Sequence, residues 1–259
     1  MNNEAVWHDL ECGDYAVDLP LWRTLAARAD GPVLDIGAGT GRVALELASR
    51  GVPVTALNRS AALLDALRAR AGDLPVRTVV GDARALALEE RFALIVVPMQ
   101  TLQLFGGWPG RRAFLRGALH HLRPGGLLAA ALADAVECFD EHRQASPPPT
   151  VWEILGMRYC SQLVSVDQLP GRAAIRYRRV ITGAPEPCSA QHALTYLDRL
   201  SPEEFEAEAR AGGFQTLPRA YVMQTERYLS STVALARAPD VGVSVTQHAG
   251  SNPSTGSFG

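Results

Sequence analysis

The chain has 259 residues, 47% of them hydrophobic and 20% charged, with a formal net charge of −2. This is ordinary globular composition, enough for one generous α/β domain or a domain with an insertion. The balanced charge and the lack of a basic patch argue against nucleic acid as a partner.

Lysine is absent, so all 25 basic residues are arginine, and with abundant alanine this suggests a high-GC genome. Four cysteines at 12, 138, 160 and 188 form no C-x-x-C pair, so neither a metal site nor a disulfide framework is expected. Residues 1–10 lack the apolar core of a signal peptide, and no run of about 18 apolar residues exists. A cytoplasmic protein without membrane contact is expected.

Residues 1–18 are mixed in character. Asp18 before Leu19-Pro20 reads as an N-cap with proline in the first turn, opening a helix to about Ala29. Val33-Leu34-Asp35-Ile36 then predicts a strand, and Gly37-Ala38-Gly39-Thr40-Gly41 a tight turn into a helix ending near Gly51. Strand, glycine turn and helix bring a nucleotide-like ligand to a helix N-terminus, where glycine permits close approach and φ > 0. The glycines fall at 37, 39 and 41 and position 42 is arginine, so the G-x-G-x-x-G dinucleotide fingerprint fails.

An acidic residue two places before G-x-G-x-G resembles motif I of the class I S-adenosylmethionine-dependent methyltransferases. The resemblance implies a Rossmann-like, seven-stranded, mostly parallel sheet with helices on both faces. It places Asp35 near the methionine moiety of S-adenosylmethionine, and Gly37, Ala38, Gly39 and Gly41 around the adenosyl group. Such enzymes often begin with a flap over the cofactor, which makes Tyr15 a candidate lid and substrate-binding residue.

A short strand over residues 52–57 is followed by Asn58-Arg59-Ser60, with Ser60 capping a helix from Ala61 to Ala71. Rossmann-like folds place an acid at the end of this strand to bind ribose hydroxyls, and here the residue is Asn58. An amide keeps a ribose contact but loses charge assistance. Asn58-Arg59 also allows an NADP-dependent oxidoreductase, with the arginine meeting a 2′-phosphate. A third reading is a catalytically silent relative that binds the adenosyl ligand as a regulator or partner subunit.

A strand over residues 76–80 leads to Asp82 and Ala83, which the resemblance sets against the adenine amino group and ring. The apolar run from Phe92 to Val97 predicts a central parallel strand, with Met99 and Gln100 at its C-terminal end. Met99 is expected beside the cofactor, and Gln100 is a candidate to orient the acceptor. A helix over 110–122, the turn Arg123-Pro124-Gly125-Gly126 and a fifth strand over 127–133 follow. His120 and His121 read as surface or packing residues.

Beyond the fifth strand, Asp134 and Glu137 are the candidate catalytic bases, with His142 and His192 as further places to look. Long β-type runs over 157–169 and 172–182 flank Pro170-Gly171, a hairpin signal, and a run near 191–200 completes an antiparallel insertion. Ser201-Pro202-Glu203-Glu204 is a capping box opening a helix to about Ala211, and two strands end the fold.

The expected division is a flap and helix over 1–30, a cofactor-binding unit over 31–135 and 200–237, an insertion or lid over 136–199, and a disordered tail over 238–259. The expected activity is methyl transfer to a small-molecule acceptor of specialised metabolism, with a homodimer a possibility of the insertion sheet. Displacement at a sulfonium needs positioning above all, and neither a metal nor a dedicated nucleophile.

Overall fold

The computed structural model describes residues 2–133, 139–140, 148–183, 189–225 and 227–240, with only the backbone at 139–140. The elements are α1 Asn3–Cys12, α2 Leu19–Ala29, β1 Val33–Ile36, α3 Arg42–Ala48, β2 Val54–Asn58, α4 Ala61–Ala71, β3 Val76–Val80, β4 Phe92–Val97, α5 Gly107–His121 and β5 Leu122–Ala133. After these come β6 Phe139–Asp140, β7 Thr150–Ile154, β8 Met157–Leu169, β9 Arg172–Thr182, β10 Ser189–Asp198, α6 Pro202–Ala211, β11 Gln215–Val222 and β12 Ser231–Arg237.

Seven strands form one sheet in the order β11-β12-β5-β4-β1-β2-β3, parallel except at β12, which runs antiparallel to both β5 and β11. This is the Rossmann-like α/β sheet expected from the sequence. Alternation along the buried strands sorts side chains onto two faces. Leu34, Ile36, Ile95 and Val97 pack with Phe114 and Leu115 of α5 and Phe205 of α6. Val33, Leu94 and Val96 pack on the other side with Trp22 of α2, Leu47 of α3 and Leu64 and Leu67 of α4. No helix of the described residues is long and apolar enough to cross a membrane.

A second, antiparallel sheet runs β10-β9-β8-β6, with β7 also on β8. The β8–β9 hairpin turns at Pro170-Gly171, where Gly171 takes φ +73°. A buried arginine ties this sheet to the first. Arg111 of α5, 6% exposed, donates to Glu208 of α6 at 2.7 and 2.6 Å and to Asp198 at the end of β10 at 3.1 Å. Gln103 reinforces the joint, donating to the Asp198 carbonyl at 3.1 Å and accepting from the Ala133 amide at 2.9 Å.

Three local expectations need correction. Residues 3–12 form a helix rather than a mixed flap. Its sequence hides the periodicity because both sides are covered: Val6, Trp7 and Leu10 pack on Tyr159 of β8, while Asp9 is buried toward α4. Asp18 occupies the α2 N-cap position without a side-chain cap, because its carboxylate accepts from Trp22 Nε1 at 2.7 Å and from Arg42 instead. The fifth strand starts at Leu122, five residues early. The register shifts between Phe92 and Leu94 opposite it, so the glycine turn is absorbed as a bulge.

Candidate active site

The C-terminal ends of β1, β2 and β4 open onto a cavity of about 390 Å³, the position at which open α/β sheets take ligands. Asp35, one residue before the end of β1, lines it while only 1% exposed. Neither carboxylate oxygen has a hydrogen-bond partner among the described residues. Burial pushes its pKa up to about 7, against the charge of Arg42 and the pull of the Ala44 amide, which lies too far or too poorly aligned to count as a hydrogen bond. A buried acid beside a cavity and without a partner marks a site built for a donor from outside the chain.

Arg42 does not serve as that partner. Its guanidinium donates to both oxygens of Asp18, at 2.5 and 2.9 Å, and to the Tyr15 carbonyl at 2.7 Å. It also lies 5.0 Å from the centre of the Tyr15 ring. Tyr15 itself is 3% exposed, packed on Tyr228 with ring centres 4.8 Å apart. It is absent from the cavity wall, so the lid position expected for it is not where its side chain lies.

The glycine turn divides its labour. Gly37, Gly39 and Gly41 all have positive φ, at +74°, +56° and +100°. Gly37 and Ala38 line the cavity, and their amides donate to the Leu57 carbonyl at 2.9 and 3.1 Å. The missing Cβ of Gly39 leaves room for the imidazole of His8, and that of Gly41 leaves room for Leu67 and Leu45. All three glycines thus make room for the protein's own side chains, Thr101 in the case of Gly37.

Asn58 lines the cavity at the end of β2, and its Oδ1 accepts from the Ser60 amide at 2.8 Å. Its amide nitrogen is the donor it offers outward. Arg59 is exposed at the rim. Asp82 caps the 3-10 turn over Ala83–Ala85 and accepts from the Arg84 guanidinium at 2.6 to 3.1 Å. That hydrogen bonding holds its carboxyl down at about 2, so it is fully ionised. Ala83 is buried in the wall.

Met99 lines the cavity with φ +54°, a left-handed conformation that a residue with a Cβ adopts at a cost of roughly 1–2 kcal/mol. Gln100 and Thr101 stand beside it. Thr101 faces Gly37 so closely that a Cβ on Gly37 would lie 2.5 Å from its methyl group.

Asp134, Glu137 and His142 lie outside the described residues, and nothing is placed for them. His192 is exposed on the edge strand β10. His121 is buried, bonding to the Leu88 amide at 3.0 Å and the Gly117 carbonyl.

The cavity also holds residues that sequence reasoning missed. His8 and Cys12 come from α1, and Thr195 comes from β10 of the second sheet. Burial pushes the Cys12 thiol up to about 11, so it stays protonated near neutrality. Recognising α1 as a helix would have revealed the first two, four residues apart on one face. Thr195 carried no signal.

Comparison with known proteins agrees with this geometry. Residues 33–126 match the methyltransferase domain family. Over 141 residues the chain is 33% identical to the cypemycin N-terminal methyltransferase of a Streptomyces species. That match covers 54% of this chain and 55% of the relative, so the chain spans only about half the length of the curated protein it matches.

The fold is similar to that of a sugar N-methyltransferase from a Streptoalloteichus species, with TM-score 0.75 at 14% identity, covering 92% of this chain and 93% of that one. It is also similar to an amino pentose methyltransferase of calicheamicin biosynthesis from Micromonospora echinaspora, solved with S-adenosylmethionine bound. There the TM-score is 0.67 at 20% identity, over 90% and 96% of the two chains.

Proposed function

We propose that this chain is a class I S-adenosylmethionine-dependent methyltransferase that methylates an amine nitrogen of a small molecule of specialised metabolism. The observation that carries the cofactor reading is Asp35. A buried carboxylate with both oxygens free, at the mouth of a glycine turn, fits the α-ammonium of an amino-acid-bearing nucleoside. The nitrogen acceptor is supported by the relatives, one described as a sugar N-methyltransferase, one as an amino pentose methyltransferase and one as an N-terminal methyltransferase.

When bound, S-adenosylmethionine supplies a sulfonium-activated methyl group; the residues of the chain position it. Asn58 and Arg59, which line the cavity, would hold the ribose hydroxyls, with the amide nitrogen donating. Ionised Asp82 keeps lone pairs beyond those given to Arg84, enough to accept from an adenine amino group. Ala83 offers a small apolar wall for the ring. Met99, fixed in its left-handed turn, would border the methyl group, and Gln100 would orient the acceptor.

An amine attacks with its own lone pair, and the proton it sheds can leave through water. Alignment at near-attack distance is therefore the main task of the site. We read residues 31–135 and 200–237 as the cofactor unit and 136–199 as the acceptor roof, with Thr195 reaching the cavity from it.

Isothermal titration with S-adenosylmethionine, S-adenosylhomocysteine and NADPH, followed by product analysis over an amine panel, tests this reading. Binding of both adenosyl ligands and formation of S-adenosylhomocysteine with an amine is expected. NADPH binding without adenosyl binding would overturn it in favour of the oxidoreductase. Adenosyl binding without turnover on any acceptor would point to the silent relative.

A further inference from the structure

We propose that His8 is a cofactor-binding residue, accepting a hydrogen bond at Nε2 from the α-ammonium of the amino-acid end of the cofactor. The proposal rests on the S-adenosylmethionine reading above. His8 lies on α1, and its ring is seated against Gly39 in the space that a Cβ there would fill, with Nε2 the nearest atom. The same ring lines the cavity together with Asp35.

The hydrogen bonds around His8 fix which nitrogen carries the proton. Thr40 Oγ1 donates its only hydrogen to Asp9 Oδ1 at 2.5 Å. His8 Nδ1 lies 3.3 Å from the same Oγ1, so Nδ1–H must donate and Thr40 accept. Asp9 is in turn ion-paired with Arg70, which anchors the chain of bonds on α4. In the neutral ring this leaves the Nε2 lone pair, beside the glycine turn, without a hydrogen-bond partner among the described residues.

The wall of the cavity therefore offers two acceptors, Nε2 and the partnerless Asp35 carboxylate. An ammonium, with three N–H groups, answers both. A nucleoside lacking the amino-acid arm answers neither.

The arrangement also links the cofactor to the roof. Glu11, three residues on, accepts from Arg179 of β9 at 2.8 Å and from Ser161 of β8 at 2.7 Å. One short helix thus touches the glycine turn with one side chain and the second sheet with another.

The test compares S-adenosylhomocysteine with 5′-methylthioadenosine, which keeps the nucleoside and sulfur but lacks the amino-acid arm. Titration of the full-length protein is expected to show His8→Ala weakening S-adenosylhomocysteine about tenfold, as for a lost hydrogen bond to a charged donor. Affinity for 5′-methylthioadenosine should change by less than about twofold, since no bond to it is lost. His8→Gln, which places an amide oxygen near the Nε2 position, should recover most of the loss.

Equal weakening of both ligands would mean that α1 has merely come loose, and unchanged affinity for both would mean that His8 touches neither. Either result overturns the proposal. Failure of the wild-type protein to bind S-adenosylhomocysteine at all would instead strike at the cofactor reading, and His8 would fall with it.

Discussion

Replacing Asp35 with asparagine should make the ligand-free protein more stable at pH 8, even though it removes a residue the site depends on. Asp35 has a folded pKa of about 7 against an ordinary value of 3.8. At 1.36 kcal/mol per unit, its burial as a carboxylate costs about 4 kcal/mol once it is ionised. Between those two values the folded state binds more protons than the unfolded one, so this group lowers stability as pH rises from about 4 to about 7. Below that window the cost is absent, and above it the cost is complete.

Asparagine carries no charge, but its stranded amide still costs about 1–3 kcal/mol. The net gain at pH 8 is then about 2 kcal/mol, or roughly 4–8 °C in Tm for a domain of this size. Thermal unfolding of both proteins from pH 4 to pH 8 reads this directly. The advantage of Asp35→Asn should grow with pH, and saturating S-adenosylhomocysteine should stabilise the wild type more than the variant. A variant less stable at pH 8, or a difference independent of pH, would refute the reasoning.

Arg111→Met should cost about 3–5 kcal/mol, because Glu208 and Asp198 lose the guanidinium between them; an unchanged Tm would show that the joint is not structural. Gly39→Ala should destabilise the protein through its φ of +56° and its collision with His8. In a His8→Ala background that penalty should shrink by about 1 kcal/mol, whereas strict additivity would deny the contact. Asn58→Asp should tighten S-adenosylhomocysteine by about 1 kcal/mol in titration, since the new carboxylate adds charge to the ribose bond and still accepts from Ser60; equal or weaker binding would count against Asn58 at the ribose.

What was legible in the sequence was what local chemistry decides. Ser60 caps α4 by accepting from the Leu63 amide, and the helix runs from Ala61 to Ala71 as the pattern predicts. Ser201 and Glu204 form both halves of their capping box. The hairpin at Pro170-Gly171 was written in two residues. What was illegible depended on partners far along the chain. Asp18 has the residue type of a cap, but Arg42 and Trp22 compete for its oxygens and win. Gly39 and Gly41 belong to a ligand-binding motif, yet the atoms beside them come from α1 and α4. Tyr15 read as a lid candidate because nothing in its neighbourhood announced Tyr228, on which it packs.

The helix α1 also has a history that follows from where its partners sit. Arg179, which pairs with Glu11, lies 168 residues downstream, and Tyr228, which donates to the Glu11 carbonyl, lies 217 downstream. At roughly 5–20 residues per second, a ribosome delivers the last of these about 10–40 s after the helix itself. The helix is therefore seated by partners made long after it, and Val6, Trp7 and Leu10 wait for Tyr159 of β8 before they are covered. Since His8 and Cys12 close part of the cavity wall and Thr195 another, the nascent protein gains its complete pocket only after the strands of the second sheet have emerged.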